Sequence, residues 1–151
     1  MNNLKKSVLI TLLISFICFG KNTVSLTKLN NNEINVLKSG FFDIVQNWSQ
    51  EPTGYYRKVH VKVPENKQKK FPVAIVLHGG GGSADRFINK FNFLNNHIIV
   101  APQGYLKRWN IAKEKSKAPD ISFIAEIISY LKVFKNVYSE TTSIIGYSNG
   151  S

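Results

Sequence analysis

The chain is 151 residues long, enough for one domain and not for two. Lys and Arg number 20 against 9 Asp and Glu, a formal net charge of +11 that falls to +8 once Lys5, Lys6 and Lys21 are set aside. That charge is spread without an arginine-rich block, zinc-finger spacing or an aromatic-basic signature, which argues against a nucleic-acid module, and the single cysteine, Cys18, excludes an intrachain disulfide.

Residues 1–25 have the layout of a secretory signal peptide. Lys5 and Lys6 open it, Val8 to Phe19 form an apolar core, and Gly20 and Ser25 offer small residues for cleavage. The core is shorter than the roughly 20 residues needed to span a bilayer. Export is expected, to the periplasm or the outside, with no stable membrane insertion after cleavage. A lipoprotein site places a small residue before its cysteine; Ile17 stands there, so lipidation at Cys18 is the minor reading.

Residues 26–54 read as lead-in and a first strand. Lys21 to Asn32 is polar and rich in asparagine. Phe41 to Trp48 is the strand, followed by a turn at Glu51-Pro52-Thr53-Gly54. From Tyr56 to Val63, Val59, Val61 and Val63 alternate with Lys58, His60 and Lys62, the pattern of a half-buried strand near a sheet edge. Glu65 to Lys70 is a charged connector.

Pro72 to Leu77 is apolar on both faces, as suits a central parallel strand covered on each side by helices. It runs into His78-Gly79-Gly80-Gly81-Gly82. Ser83 is placed to cap a helix with Phe87, Phe91 and Leu94 on one face. Ile98 to Ala101 is the next buried strand, stopped by Pro102, and a basic loop around Trp109 covers Tyr105 to Lys117. Asp120 reads as the cap of an amphipathic helix with Ile124, Ile127, Ile128 and Leu131 inward. The strand Thr142 to Ile145 then enters Gly146-Tyr147-Ser148-Asn149-Gly150. Strand, helix, strand, helix, strand predicts a mostly parallel α/β sheet with right-handed crossovers and helices on both faces. Sites in such sheets form at the carboxyl ends of strands, where both glycine motifs lie.

Gly-x-Ser-x-Gly after a strand is the signature of a nucleophile elbow, in which a sharp strand-to-helix turn holds a serine at the bend. Ser148 is the candidate nucleophile, and Gly146 and Gly150 keep space free for the turn. Attack on an ester builds charge on the carbonyl oxygen, and backbone N–H groups of Asn149 and of Gly79 and Gly80, with Gly81 as a further candidate, are placed to stabilise it. The competing reading of the four glycines is a phosphate loop. Neither Gly-x-Gly-x-x-Gly nor a following Lys-Ser/Thr pair is present. A serine hydroxyl needs a base. His60 reads as solvated, His97 as structural and His78 as a brace for the glycine loop. All three precede Ser148, as do Asp43, Asp85 and Asp120, whereas α/β hydrolases order nucleophile, acid, histidine.

From Tyr56 to Gly150 the chain resembles the secreted polyhydroxybutyrate depolymerase/feruloyl esterase-like group of α/β hydrolases. The matching pieces are Arg57 with Val61-Lys62-Val63-Pro64, Val76-Leu77-His78-Gly79-Gly80-Gly81, Ala101-Pro102-Gln103-Gly104, Trp109-Asn110, Asp120-Ile121-Ser122-Phe123-Ile124 and Gly146-Tyr147-Ser148-Asn149-Gly150. Ser151 stands where members carry another glycine. The resemblance implies that residues 55–151 are the N-terminal half of an α/β-hydrolase domain, truncated after the elbow strand, with the triad Asp and His beyond it. It implies an acyl-enzyme on Ser148, no cofactor and no metal. The partner is an ester substrate of polymeric kind, a plant polysaccharide ester or a polyester, with Trp109 near the acyl or sugar side of the cleft. A peptidase or lipase on the same fold, and a non-catalytic binding protein, are the alternatives.

Overall fold

The computed structural model describes residues 35–66, 69–111 and 115–151. The signal segment at 1–25 with Cys18, the lead-in to Asn32 and part of the 65–70 connector lie outside the described residues. Five strands form one sheet: β1 (Gly40–Trp48), β2 (Glu51–Lys62), β3 (Phe71–Leu77), β4 (Ile98–Pro102) and β5 (Val137–Gly146), in the order β1-β2-β4-β3-β5. β3 runs parallel to β4 and β5, while β2 is antiparallel to β1 and β4. All strands but β2 therefore share one direction.

The side-chain alternation of the central strands decides which helix covers which face. Val73 and Ile75 of β3 and Ile98 and Val100 of β4 join one core, with Phe123, Ile127 and Leu131 of α2 (Asp120–Leu131). Each of those three side chains contributes about 1.5–3 kcal/mol by leaving water. Val76, Ile99 and Ala101 point the other way, onto Phe87 and Ile88. These belong to α1 (Ala84–Phe87) and the 3-10 turn Ile88–Phe91 that continues it. The chain goes from β3 through α1 to β4 on one side, then returns through α2 to β5 on the other. That reversal puts the carboxyl ends of β3 and β5 side by side, Leu77 opposite Gly146. It is the switch point at which open α/β sheets place their sites. Pro72 sits at a register shift in the β3–β5 ladder, where its missing N–H is tolerated.

Several sequence expectations are corrected locally. The first hairpin turns at Ser49 and Gln50, and Glu51 to Gly54 belong to β2. Gly54, at φ +98°, absorbs the irregular backbone within the strand, and Trp48, Tyr55 and Tyr105 pack edge to face beside the hairpin. β2 does lie near an edge of the sheet, with β1 alone pairing along its outer side; Lys58 on its polar face meets Asp43 of β1 at 3.3 Å. Ser83 holds the position before α1, but its side chain makes no capping bond. Asp120 is the first residue of α2, and its carboxylate serves Arg57 and Asn110 instead of capping. β5 stands at a border of the described sheet, with Ile144 53% and Tyr147 64% exposed.

Candidate active site

Ser148 follows β5 in a 3-10 turn, Ser148–Gly150, and its φ is +53°. That left-handed backbone costs a residue with a Cβ about 1–3 kcal/mol and persists only where the surroundings enforce it. Here the flanking glycines leave the space that the bend needs. A Cβ on Gly146 would stand 2.6 Å from the Gly150 carbonyl carbon, and one on Gly150 would stand 2.6 Å from the Leu77 oxygen and 2.7 Å from that of His78. The bend closes on itself and on the end of β3 with no room for side chains. Tyr147 N–H donating to Leu77 C=O at 3.1 Å carries the β3–β5 pairing into the turn.

The glycine loop after β3 lies against this bend. A Cβ on Gly79 would be 3.3 Å from Ser148 Cβ, and one on Gly80 would be 3.6 Å from Asn149 Cβ. Gly81 N–H donates to Lys107 C=O at 2.8 Å and Gly82 N–H to Gly79 C=O at 3.0 Å. The N–H groups of Gly79, Gly80 and Asn149 have no acceptor among the described residues. Gly81 is thus taken, and the donors left beside Ser148 are Gly79, Gly80 and Asn149.

His78 braces the loop. It is 1% exposed, and its Nε2 accepts from Gly104 N–H at 3.1 Å and from the Gln103 amide at 2.9 Å. Two donors on Nε2 place the ring proton on Nδ1, which donates to Gly79 C=O at 2.8 Å. Both nitrogens are committed, so this ring does not serve Ser148 as base. Trp109 is 4% exposed; its indole N–H donates to His78 C=O at 2.8 Å. Its backbone N–H donates to Asn149 Oδ1 at 2.8 Å, and its carbonyl accepts from Asn149 Nδ2 at 3.2 Å. The Asn149 side chain therefore joins the elbow to the Trp109 segment, as a strand neighbour would. Trp109 holds the site's walls together.

Beneath this frame lies an ion pair. Arg57, 1% exposed, reaches Asp120 Oδ1 at 2.5 Å and Gln46 Oε1 at 3.1 Å, with its guanidinium 3.7 Å over the Phe123 ring. Burial pulls the Arg57 pKa below its ordinary value, and Asp120 beside it opposes that pull. Asp120 Oδ2 accepts from Asn110 N–H at 2.6 Å, next to Trp109. Arg57 thus acts on the elbow through Asp120, Asn110, Trp109 and Asn149.

No described residue completes a triad. His60 lies on β2, separated from β5 by β4 and β3, which is about 14 Å at the usual strand spacing. His97 precedes β4 and so sits at the amino end of the parallel strands, opposite Ser148. Asp43 faces Lys58 and Asp120 faces Arg57. Among the described residues no group of His, Cys, Asp and Glu is arranged to hold a metal.

Two solved structures share this arrangement of strands and helices. A thermostable esterase overlays with a TM-score of 0.52 at 19% identity, over 73% of this chain and 35% of its own. A fluorophosphonate-binding serine hydrolase of Staphylococcus aureus, solved with substrate bound, overlays with a TM-score of 0.51 at 16% identity, over 72% of this chain and 47% of its own. The fold is that of the α/β hydrolases. The chain spans 35% and 47% of the length of these two structures. A ferulic acid esterase of Anaeromyces mucronatus, solved with ferulic acid, overlays more loosely, with a TM-score of 0.45 at 21% identity over 91% of this chain and 57% of its own. No protein-family model and no curated protein matches the chain.

Within the α/β-hydrolase frame, the residues that chain periodicity passed over are Gln103, Asp120 and Asn136. Gln103 binds both His78 and Ala84 N–H. Asn136, buried, accepts from Leu37 N–H at 2.9 Å and donates to Leu37 C=O at 3.0 Å, tying the start of the described chain to the start of β5. A signal for the Arg57–Asp120 pair did exist. Arg57 shares the odd-numbered, inward face of β2 with Val59 and Val61, and a buried cation needs a carboxylate partner.

Proposed function

We propose that this chain carries the nucleophile and oxyanion donors of a secreted serine ester hydrolase that works through an acyl-enzyme on Ser148. The observation that carries the reading is the left-handed backbone of Ser148, wedged between Gly146 and Gly150 and beside the Gly79–Gly80 loop, where the N–H groups of Gly79, Gly80 and Asn149 have no acceptor among the described residues. A base from outside the described residues takes the Ser148 proton, and Oγ adds to the ester carbonyl. Charge forms on the carbonyl oxygen, where the three N–H groups meet it; a single such donor is worth about 10²–10³ in rate. Collapse breaks the bond to the alcohol, which leaves with the proton held by the base. Water, giving its proton to the same base, then releases the acid and restores Ser148. The Trp109-Asn110 pair and the Ser-Asn-Gly elbow support an ester of the feruloyl- or acetyl-polysaccharide or polyhydroxyalkanoate class, and the signal layout of residues 1–25 supports export.

The test is partitioning. Full-length protein given phenyl acetate or p-nitrophenyl acetate in aqueous methanol is expected to yield acetate and methyl acetate in one ratio, whichever phenol leaves, because both esters pass through the same acyl-enzyme. A ratio that follows the leaving group, or no turnover, contradicts the reading.

A further inference from the structure

Beside the oxyanion loop lies a cavity of about 440 Å³ whose walls include Gly81, Gly82, Arg86, Lys90 and Lys107. Among the described residues that line it, the one carboxylate is Asp85. Three cations against Asp85 leave the cavity positive. Next to it, Arg108 Nη1 stands 3.9 Å from where a Gly80 Cβ would be, and its side chain has no hydrogen bond or ion pair among the described residues. The segment bearing Lys107 and Arg108 is strained, with Leu106 at φ +49° and Lys107 at φ +62°, neither a glycine. Such strain persists only where the surroundings enforce it, and the Gly81 N–H bond to Lys107 C=O anchors the segment there. The glycine loop links the two features. Gly79 touches Ser148, Gly80 lies between Asn149 and Arg108, and Gly81 and Gly82 wall the cavity.

Resting on the serine-hydrolase reading, we propose that Lys107 and Arg108 recognise a carboxylate on the substrate, so that the preferred ester carries a negative charge on one side of its scissile bond. Arg108 supplies a forked donor over the oxyanion loop, and Lys107 with Arg86 and Lys90 holds the field positive in the adjoining cavity.

The experiment uses full-length protein and two matched pairs of esters. One pair puts the charge on the alcohol side, 4-acetoxybenzoate against 4-acetoxybenzamide. The other puts it on the acyl side, p-nitrophenyl glutarate monoester against p-nitrophenyl glutaramate. In at least one pair the charged ester is expected to have a kcat/KM about tenfold higher. That preference is expected to shrink in about 0.5 M NaCl and to vanish in a Lys107→Gln, Arg108→Gln double variant. Both side chains are exposed, and circular dichroism checks that the variant is folded. No preference in either pair, or a preference that survives the double substitution, overturns the inference while turnover of the neutral esters leaves the hydrolase reading standing. Failure of the wild type to hydrolyse any of the four overturns both.

Discussion

Replacing Ser148 with alanine is expected to lower kcat of the full-length protein by about 10⁴–10⁶, leaving the residue of catalysis that oxyanion donors and binding supply alone. Ser148→Gly is expected to lose as much rate and to gain stability. The wild-type serine sits at φ +53°, a region where a Cβ is penalised, and alanine keeps that penalty while glycine removes it. The gain should be about 1 kcal/mol, less the entropy that glycine adds to the unfolded chain. Urea denaturation of the two variants reads the difference directly. A glycine variant less stable than the alanine variant would contradict the strained elbow, whatever the kinetics.

Arg57→Ala is expected to destabilise the fold by about 3–5 kcal/mol, a large share of the total for a domain of this size. Arg57 is 1% exposed, and removing it leaves the partly buried Asp120 carboxylate without its cation, with the Asn110 N–H as its remaining partner among the described residues. The guanidinium also stacks on Phe123 at 3.7 Å, so packing is lost with charge. A double variant, Arg57→Met with Asp120→Asn, is expected to recover part of the loss. It removes both charges, and the Arg57 Nε, which has no hydrogen-bond partner among the described residues, goes with them. Denaturation midpoints at constant slope check this. A single variant within 1 kcal/mol of wild type would mean that the pair behaves like a surface salt bridge and does not frame the elbow.

The sheet was legible where sequence patterns report burial on two faces. Pro72 to Leu77 and Ile98 to Ala101 read as central strands because their runs contain no polar face, and both sit between neighbours in the sheet. The tight bend was legible because the pattern Gly-x-Ser-x-Gly follows an apolar run, and only glycine fits at Gly146 and Gly150. Hydrogen bonds between distant residues were not legible. Nothing in the local pattern announces that Asn149 will pair with the Trp109 backbone, 40 positions away, or Asn136 with Leu37, 99 away. Asp120 was misread for the same reason: an aspartate ahead of an amphipathic run fits a cap, and only the fold brings Arg57 to it. The hairpin turn was misplaced because Pro52 and Gly54 mimic turn chemistry, while the real turn uses Ser49 and Gln50 and leaves Gly54 to absorb an irregular strand.

The most direct measurement of the central claim is to treat full-length protein with a fluorophosphonate ester, then locate the adduct by peptide mass spectrometry. One phosphonyl group on the peptide containing Ser148, absent from the Ser148→Ala variant, is the predicted result. An adduct at another residue, or none on folded wild-type protein, would contradict the assignment of Ser148 as the nucleophile.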